Sequence, residues 1–267
     1  MHTTTSYEEL LDKEQSRWRR SIINTCVVLV FVVASLFYTG MLDFQRLFEG
    51  IPSIISLFLE GLPPDFSDWQ GWIEPLLDTL AMSVAGTAVA IALSIPLGLC
   101  AAYNTTPHPI AYQAARWLLN MLRSIPELIM GIIFVAAVGF GPLPGVLALG
   151  LHSVGMVGKF FAESIEHVCE EPVEAVRAAG ANPLQVILHG VMPQVVPQMM
   201  DVSIYRWEYN FRASTVMGMV GAGGIGFELV ASLRIMQYQE VTAILLVILL
   251  MVTLVDGLGT TLRKRFK

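Results

Sequence analysis

Residues 174–193 read EAVRAAGANPLQVILHGVMP, a polar and helix-prone segment between two long apolar runs. The chain of 267 residues is 54% hydrophobic and 14% charged, with a mean hydropathy of +0.62. Several of its apolar runs exceed the roughly 18 residues that mark a membrane-spanning helix. We therefore expect an all-α integral membrane protein that holds this polar segment at a membrane surface.

Apolar segments along the chain are candidates for six membrane spans, and the flanking charges orient them. Basic residues at 17–20 precede the first span, and basic residues favour the cytoplasmic side of a membrane. The basic tail at residues 263–267 places the C-terminus on the same side, and only an even number of spans satisfies both ends. We predict spans at about residues 22–42, 76–103, 115–138 and 146–161, from about 193 into a glycine cluster at 218–226, and at about 241–259.

These spans define the domain organisation that we expect. Residues 1–21 form a cytoplasmic leader, residues 22–267 form one transmembrane domain, and a cytoplasmic loop occupies about residues 162–192. The acidic segment at 43–75 lies outside, and its apolar part at 51–62 is too short to span, so it lies in the interface or turns inward. The expected location is the inner (plasma) membrane, with lipid around the spans and both termini in the cytoplasm.

Charge and motif content argue against several functions. A net charge of −6 argues against binding to nucleic acid, which requires a basic surface. The cysteines and histidines lack the spacing of a metal site, so we expect no metal. The chain has no GxxxxGK[ST] motif, so it is not expected to hydrolyse ATP by itself. Gly221, Gly223 and Gly226 fit GxGxxG, but no βαβ unit surrounds them, so we expect no dinucleotide and no other cofactor in this chain.

The cytoplasmic loop carries the signals of two short helices. Pro172 suits the first turn of a helix, and residues 180–183, GANP, interrupt that helix. A second helix is expected from Leu184 to His189, ending at Gly190. Such a pair is small enough to sit in the groove of a partner protein, although composition alone leaves an ordinary surface loop open.

Charged residues at 205–212, YRWEYNFR, interrupt the fifth span. A charge near the middle of a membrane costs about 2.5–3.5 kcal/mol, so such residues pair or face a watery path. Glu208 and Arg212 are one helical turn apart, as are Arg206 and Asn210, which predicts two local pairs. These residues are either structural pairs or one wall of a translocation path.

A similar group lies in the third span at Arg123, Pro126 and Glu127. Pro126 cannot donate a backbone hydrogen bond, which leaves a carbonyl near Leu122 that a cavity or a neighbour must satisfy. Arg123 and Glu127 are one turn apart, so they either form a local salt bridge beside the kink or line the same path.

Residues 217–226 read MGMVGAGGIG, a run that breaks a helix. Irregular backbone at membrane depth is tolerated only where it is buried in protein or lines a cavity. Gly221, Gly223 and Gly224 are therefore candidates for a gate or hinge, with a plain flexible turn before the last span as the alternative.

The spacing in the cytoplasmic loop resembles the EAA loop of binding-protein-dependent ABC import permeases. Gly180 follows Glu174 by six positions, and Pro193 follows Gly180 by thirteen. In that family the loop forms coupling helices that dock on a cytoplasmic ATPase. The copy departs from the family pattern at three positions, Val176, Gly190 and Met192. The resemblance implies ATPase-coupling roles for Glu174, Ala175, Arg177, Gly180 and Pro193.

A wider similarity covers about residues 60–265 and is carried by the segments 63–69, 122–127 and 205–226. These segments are similar to the permease subunit of phosphonate ABC importers and of their phosphite-importing relatives. The resemblance implies the six-helix type I ABC importer permease fold and a homodimer of permeases. It also implies an ABC ATPase dimer that carries ATP and Mg²⁺, and a periplasmic or surface binding protein that delivers the phosphonate. No family motif that matches this chain defines a ligand site.

Three functional hypotheses follow. The first is the permease subunit of an ATP-driven importer for phosphonate or a related phosphorus oxyanion, in which a separate ATPase drives alternating access through residues 174–193. The second keeps the transporter class and changes the cargo to another small solute such as methionine. The third is an intramembrane enzyme or sensor, which leaves the coupling-loop pattern without an explanation.

Overall fold

The computed structural model describes residues 7–266, and it describes the surroundings of side chains from residue 12 to residue 265. Within these residues the chain forms helices joined by short turns, with no strand. Two compact units divide between Glu60 and Gly61. In the described part, four helices are long and apolar enough to cross a membrane singly, and two bent pairs raise the number to six, which agrees with the predicted span count.

The first unit contains two helices, α1 (Tyr7–Tyr38) and α2 (Phe44–Glu60). α1 continues without a break from the predicted leader into the first predicted span, and its apolar side chains are exposed, as expected of a helix that faces lipid. α2 begins well before residue 51 and is amphipathic, which suits the membrane interface. Its polar face consists of Gln45, Arg46, Glu49, Ser53, Ser56 and Glu60.

The second unit begins with α3 (Ile73–Ala101). Two shorter helices follow, α4 (Pro109–Ser124) and α5 (Glu127–Val138), which meet at an angle of 88°. The third predicted span is therefore a broken helix, and the break lies at Ile125 and Pro126. Proline explains its position, because Pro126 cannot continue the hydrogen-bond ladder of α4.

The core of this unit is the contact between α3 and α6 (Pro142–Glu166), which pack along each other. A small residue permits the close approach. A Cβ atom added at Gly86 would lie 3.1 Å from the Cβ of Leu149 and 3.5 Å from the backbone nitrogen of Gly150. A small residue at this position of α3 thus serves tight helix packing.

The predicted cytoplasmic loop contains α7 (Glu170–Ala178), α8 (Pro183–Val186) and a π-helical turn at Ile187–Val191. Gly180 ends the first of these helices with a φ of +83°, as predicted. The predicted end of the second helix at Gly190 is wrong, because the π-helical turn leads into the next long helix without a break. Gly190 serves packing instead, since an added Cβ would lie 3.2 Å from the Cα of Val173.

Apolar side chains fix this loop to the transmembrane helices. Val173, Val186 and Val191 are buried in the same cluster as Phe161 and Ile165 of α6. Burial of one such side chain contributes about 1.5–3 kcal/mol. The loop is therefore a packed extension of the membrane helices, and a displacement of α7 is transmitted to α6 through touching side chains.

The last part of the chain contains α9 (Met192–Met217), α10 (Ile225–Arg234) and α11 (Tyr238–Phe266). The glycine segment separates α9 from α10, and the two helices are bent by 44° at this break. α10 was not expected from the sequence. Its ten residues mix apolar and polar side chains and are too few to show the pattern of a span.

Candidate translocation path and coupling surface

Arg206 lies at the centre of a polar cluster formed by α6 and α9, with only 3% of its surface exposed. Its Nε donates a hydrogen bond to the hydroxyl oxygen of Ser153 at 2.7 Å, and its Nη1 donates to the sulfur of Met156 at 3.1 Å. The guanidinium lies over the ring of Tyr209, 4.2 Å from the ring centre, as in a cation–π contact. All three partners of this cation are electrically neutral.

The predicted pair of Arg206 with Asn210 is wrong. The amide nitrogen of Asn210 donates to the hydroxyl of Thr87 at 2.9 Å, and its oxygen accepts a hydrogen bond from Ser153 at 3.0 Å. Ser153 therefore lies between the two residues, accepting from Arg206 and donating to Asn210. The network ties α3, α6 and α9 together through side chains that are all buried.

Glu127 joins the same cluster from the start of α5. One carboxylate oxygen accepts a hydrogen bond from the Tyr209 hydroxyl at 2.8 Å, and the other lies 3.1 Å from the Nε2 of His152. The Nδ1 of His152 lies 3.0 Å from the carbonyl oxygen of Ile125. That carbonyl lies at the Pro126 break, and His152 is the neighbour that satisfies it. The expectation concerned a carbonyl near Leu122, which stays a prediction.

The contacts of Glu127 leave its carboxylate out of direct reach of Arg206. A carbonyl oxygen only accepts, so the Nδ1 of His152 carries the proton that faces Ile125. The two oxygens of Glu127 contact Tyr209 and His152. Among the described residues, Arg206 therefore has no carboxylate in direct contact.

The predicted salt bridge between Arg123 and Glu127 is wrong. α4 ends at Ser124 and the chain turns by 88° before Glu127, so the two residues are not on one helix and the one-turn spacing does not apply. The side chain of Arg123 is exposed. Its backbone packs against Gly155, where an added Cβ would lie 2.6 Å from the Arg123 nitrogen.

The predicted pair of Glu208 with Arg212 is also wrong, because both residues find partners on α11. The Nη2 of Arg263 lies 2.8 Å from one oxygen of Glu208, and its Nη1 donates to the other oxygen at 3.2 Å. The Glu208 side chain is 6% exposed and Arg263 is 26% exposed. Gly259 makes room for this contact, because any side chain there would collide with the Glu208 carboxylate.

Arg212 forms a second contact between the same two helices. Its Nη1 donates to both carboxylate oxygens of Asp256 at 3.0 Å. Both side chains are nearly half exposed, at 43% and 44%. Charged groups of α9 thus reach across to α11 rather than along their own helix, since the two helices pack side by side.

The glycine segment is an ordered turn that neighbouring helices hold in place. The hydroxyl of Thr79 accepts a hydrogen bond from the backbone nitrogen of Ile225 at 2.9 Å, directly after Gly224, which has a φ of +74°. Gly226 lies so close to the carbonyl of Thr215 that no side chain fits. The segment is therefore packed against its neighbours, and its role as a gate or hinge stays a prediction.

Part of this glycine segment lines open space. Gly218 and Gly221 border a cleft of about 350 Å³ together with Phe140. Gly223 and Gly224 are not among the residues that line it. Of the three predicted gate glycines, only Gly221 lines this cleft, as expected of bare backbone at membrane depth.

The five predicted coupling residues are all exposed, and we call the exposed side of this segment the coupling surface. Within α7 the side chain of Val173 is buried and that of Val176 is partly buried. The coupling residues are exposed, and they are Glu174, Ala175, Arg177, Gly180 and Pro193.

The coupling surface also contains two apolar residues that sequence reasoning did not single out. Leu184 is 65% exposed and Leu188 is 51% exposed. They lie four positions apart, in α8 and in the π-helical turn that follows it. A capping box between Asn182 and Gln185, with both hydrogen bonds at 2.9 Å, fixes the start of α8. The sequence carries a signal for this pair, because two apolar residues four positions apart after a helix cap indicate one face of a helix.

Comparison with known proteins identifies the family. The family described as "Binding-protein-dependent transport system inner membrane component" matches residues 94–267, well over half of the chain. This chain belongs to that family. The matched part of the permease includes the Arg206 cluster, the glycine segment and the coupling surface.

Two relatives are similar to this permease over most of its length. The permease is 68% identical over 250 residues to the phosphite transport system permease protein PtxC of Stutzerimonas stutzeri, covering 94% of this chain and 91% of that protein. It is 39% identical over 245 residues to the putative phosphite transport system permease protein HtxC of the same organism, covering 92% and 87%.

A solved structure shows the fold. A chain of the MetNI methionine ABC transporter, in inward facing conformations, superposes with a TM-score of 0.64 at 20% identity, covering 73% of the permease and 96% of that chain. The permease therefore has the type I ABC importer permease fold that the sequence predicted, and the predicted resemblance to this class of permease is confirmed.

Proposed function

We propose that this permease is the membrane-spanning subunit of an ATP-driven importer for phosphite or a closely related phosphorus oxyanion, such as a phosphonate. The observation that carries this proposal is the similarity to the phosphite permease PtxC over nearly the whole chain. Methionine as cargo has weaker support, because the methionine transporter resembles this permease in fold at low sequence identity.

The working unit of this proposal contains several chains. Two copies of the permease lie in the inner membrane, with both termini in the cytoplasm. A dimer of a separate ABC ATPase supplies ATP hydrolysis with its own Mg²⁺, and a binding protein outside delivers the anion. The family description, which names a binding-protein-dependent system and the inner membrane, supports the binding protein and the location in this proposal.

The coupling surface is the proposed contact with the ATPase. Its residues Glu174, Ala175, Arg177, Gly180 and Pro193 are exposed and so accessible to a partner. The buried valines beneath them join the loop to α6, so a pull on the loop moves the transmembrane helices. Leu184 and Leu188 add the apolar area that a protein groove buries on docking.

The charged residues of the membrane helices have different proposed roles. Pro126, Glu127 and Arg206 shape the path where the broken span meets α9. Glu208 and Arg212 join α9 to α11 and act as a latch between these helices during alternating access. Gly221, Gly223 and Gly224 form the outer gate, and Arg123 lines the path mouth with its exposed side chain.

Uptake by a reconstituted complex tests this function. The permease is purified with its ATPase, placed in proteoliposomes that contain ATP, and supplied with its binding protein and radiolabelled phosphite. Accumulation of phosphite that requires both ATP and the binding protein is expected. Accumulation of methionine in place of phosphite, or of neither, would overturn the proposal.

A further inference from the structure

Arg206 differs from Glu208, Arg212 and Glu127, which each meet an ionisable partner. Glu208 lies 2.8 Å from Arg263, Arg212 lies 3.0 Å from Asp256, and Glu127 lies 3.1 Å from His152. Within the described residues, no carboxylate oxygen lies within 4.0 Å of Arg206, although only 3% of the surface of this residue is exposed. A buried cation without a counter-ion is costly, so its retention calls for a reason beyond packing.

The free part of the guanidinium is the edge formed by its two terminal nitrogens. Nε is occupied by Ser153. Nη1 meets only the thioether sulfur of Met156, which is a weak acceptor, and Nη2 is buried with no hydrogen-bond partner. Two N–H groups of one planar edge are thus available together.

We propose that this edge of Arg206 binds the transported oxyanion inside the membrane. The inference rests on the proposed function and adds the residue and the atoms that recognise the cargo. Two oxygens on one phosphorus atom match the parallel N–H groups of a guanidinium edge, and the anion supplies a negative charge in direct contact with it. Glu127 does not occupy this edge, because its two oxygens contact Tyr209 and His152.

The surroundings of Arg206 explain how the anion gains access. Nη2 is covered by protein in this conformation, so an anion reaches it only after α6 and α9 move. Met156, which is partly exposed, covers the Nη1 side of the edge. A flexible thioether is readily displaced, because it loses only a weak contact. Met156 is therefore the cover that the oxyanion replaces.

A structural role for Arg206 makes the opposite prediction about stability. If Arg206 were present to hold α6 against α9, its replacement would lower the unfolding temperature of the permease. If it is retained for the anion, the variant without phosphite is as stable as the wild type or more stable, because a buried charge without a carboxylate in direct contact is gone.

The test compares Arg206→Gln, Arg206→Lys and the control Arg46→Gln, which changes an exposed arginine of α2. Each complex with the ATPase is assayed for phosphite uptake in proteoliposomes and for the rise of its unfolding temperature with millimolar phosphite. We expect Arg206→Gln to lose the phosphite-dependent rise and to import about 10- to 100-fold more slowly. Arg46→Gln is expected to match the wild type in both assays.

Arg206→Lys keeps the inference testable if the glutamine variant does not fold. It retains the charge and loses the planar edge, so we expect a weaker phosphite-dependent rise and slower uptake than in the wild type. Wild-type behaviour of either Arg206 variant in both assays would overturn the site. A wild-type complex that imports phosphite without any phosphite-dependent rise would also overturn it, and would leave the proposed function standing.

Discussion

The coupling surface and the charged part of α9 are both polar interruptions in an apolar chain, and they are built in opposite ways. In the coupling surface, charged residues such as Glu174 and Arg177 are exposed, and buried valines hold the segment in place. In α9, Arg206 and Glu208 are buried, and each meets a residue of another helix. The first region presents its charges to a partner, whereas the second keeps them inside the membrane domain.

The largest expected effect is on the coupling surface. Glu174→Arg reverses a charge at the proposed ATPase contact and should abolish ATP-driven phosphite uptake, because a mismatched charge at an interface costs several kcal/mol. The unfolding temperature should not change, since the side chain is exposed. Uptake and co-purification of the ATPase measure the effect.

The control for this prediction is Glu49→Arg, the same reversal at an exposed position on α2. It should leave uptake and ATPase association intact. Retention of the ATPase by Glu174→Arg would contradict the assignment of the coupling surface.

The next largest effect concerns the stability of α9. Glu208→Gln leaves Arg263 without its partner, and breaking a buried ion pair costs about 3–5 kcal/mol. We expect a clear drop in the unfolding temperature in detergent. The matched change Glu174→Gln should leave that temperature unaltered, because Glu174 is exposed. Equal unfolding temperatures for the two variants would remove the contrast between the regions.

A smaller effect is expected at the apolar part of the coupling surface. Leu184→Ser or Leu188→Ser should each weaken ATPase binding by about tenfold, because each loses roughly one buried leucine contact. Titration of the ATPase onto the permease in nanodiscs measures this change. Leu57→Ser on α2, which is 50% exposed, is the control and should bind the ATPase normally.

The smallest effect is expected at Tyr209. Tyr209→Phe removes one hydrogen bond to Glu127 and keeps the ring under Arg206, so it should cost about 1–2 kcal/mol of stability. The unfolding temperature should therefore fall less than in Glu208→Gln. A larger fall than in that variant would show that the Glu127 contact, rather than the ion pair, dominates the stability of α9.

Features with local causes were predictable from the sequence. Apolar length gave the span count, Pro126 marked the break between α4 and α5, and Gly180 marked the end of α7. Each of these depends on the backbone chemistry of a residue and its near neighbours in the chain. The spacing of the coupling residues is local in the same sense.

Features with tertiary causes were not predictable. The one-turn spacing of Glu208 and Arg212 favours a local pair, but the packing of α11 brings Arg263 and Asp256 to those side chains. His152 satisfies the Ile125 carbonyl from another helix, which no local pattern shows. The free guanidinium edge of Arg206 likewise becomes visible only once every neighbouring partner is known.

The different roles of the coupling surface and of the charged part of α9 are tested most directly by measuring bound ATPase and phosphite uptake in the same proteoliposomes. The two variants compared are Glu174→Arg and Arg206→Gln. We predict that Glu174→Arg loses both the ATPase and uptake, whereas Arg206→Gln retains the ATPase and loses most uptake. Loss of the ATPase from Arg206→Gln, or its retention by Glu174→Arg, would contradict the account.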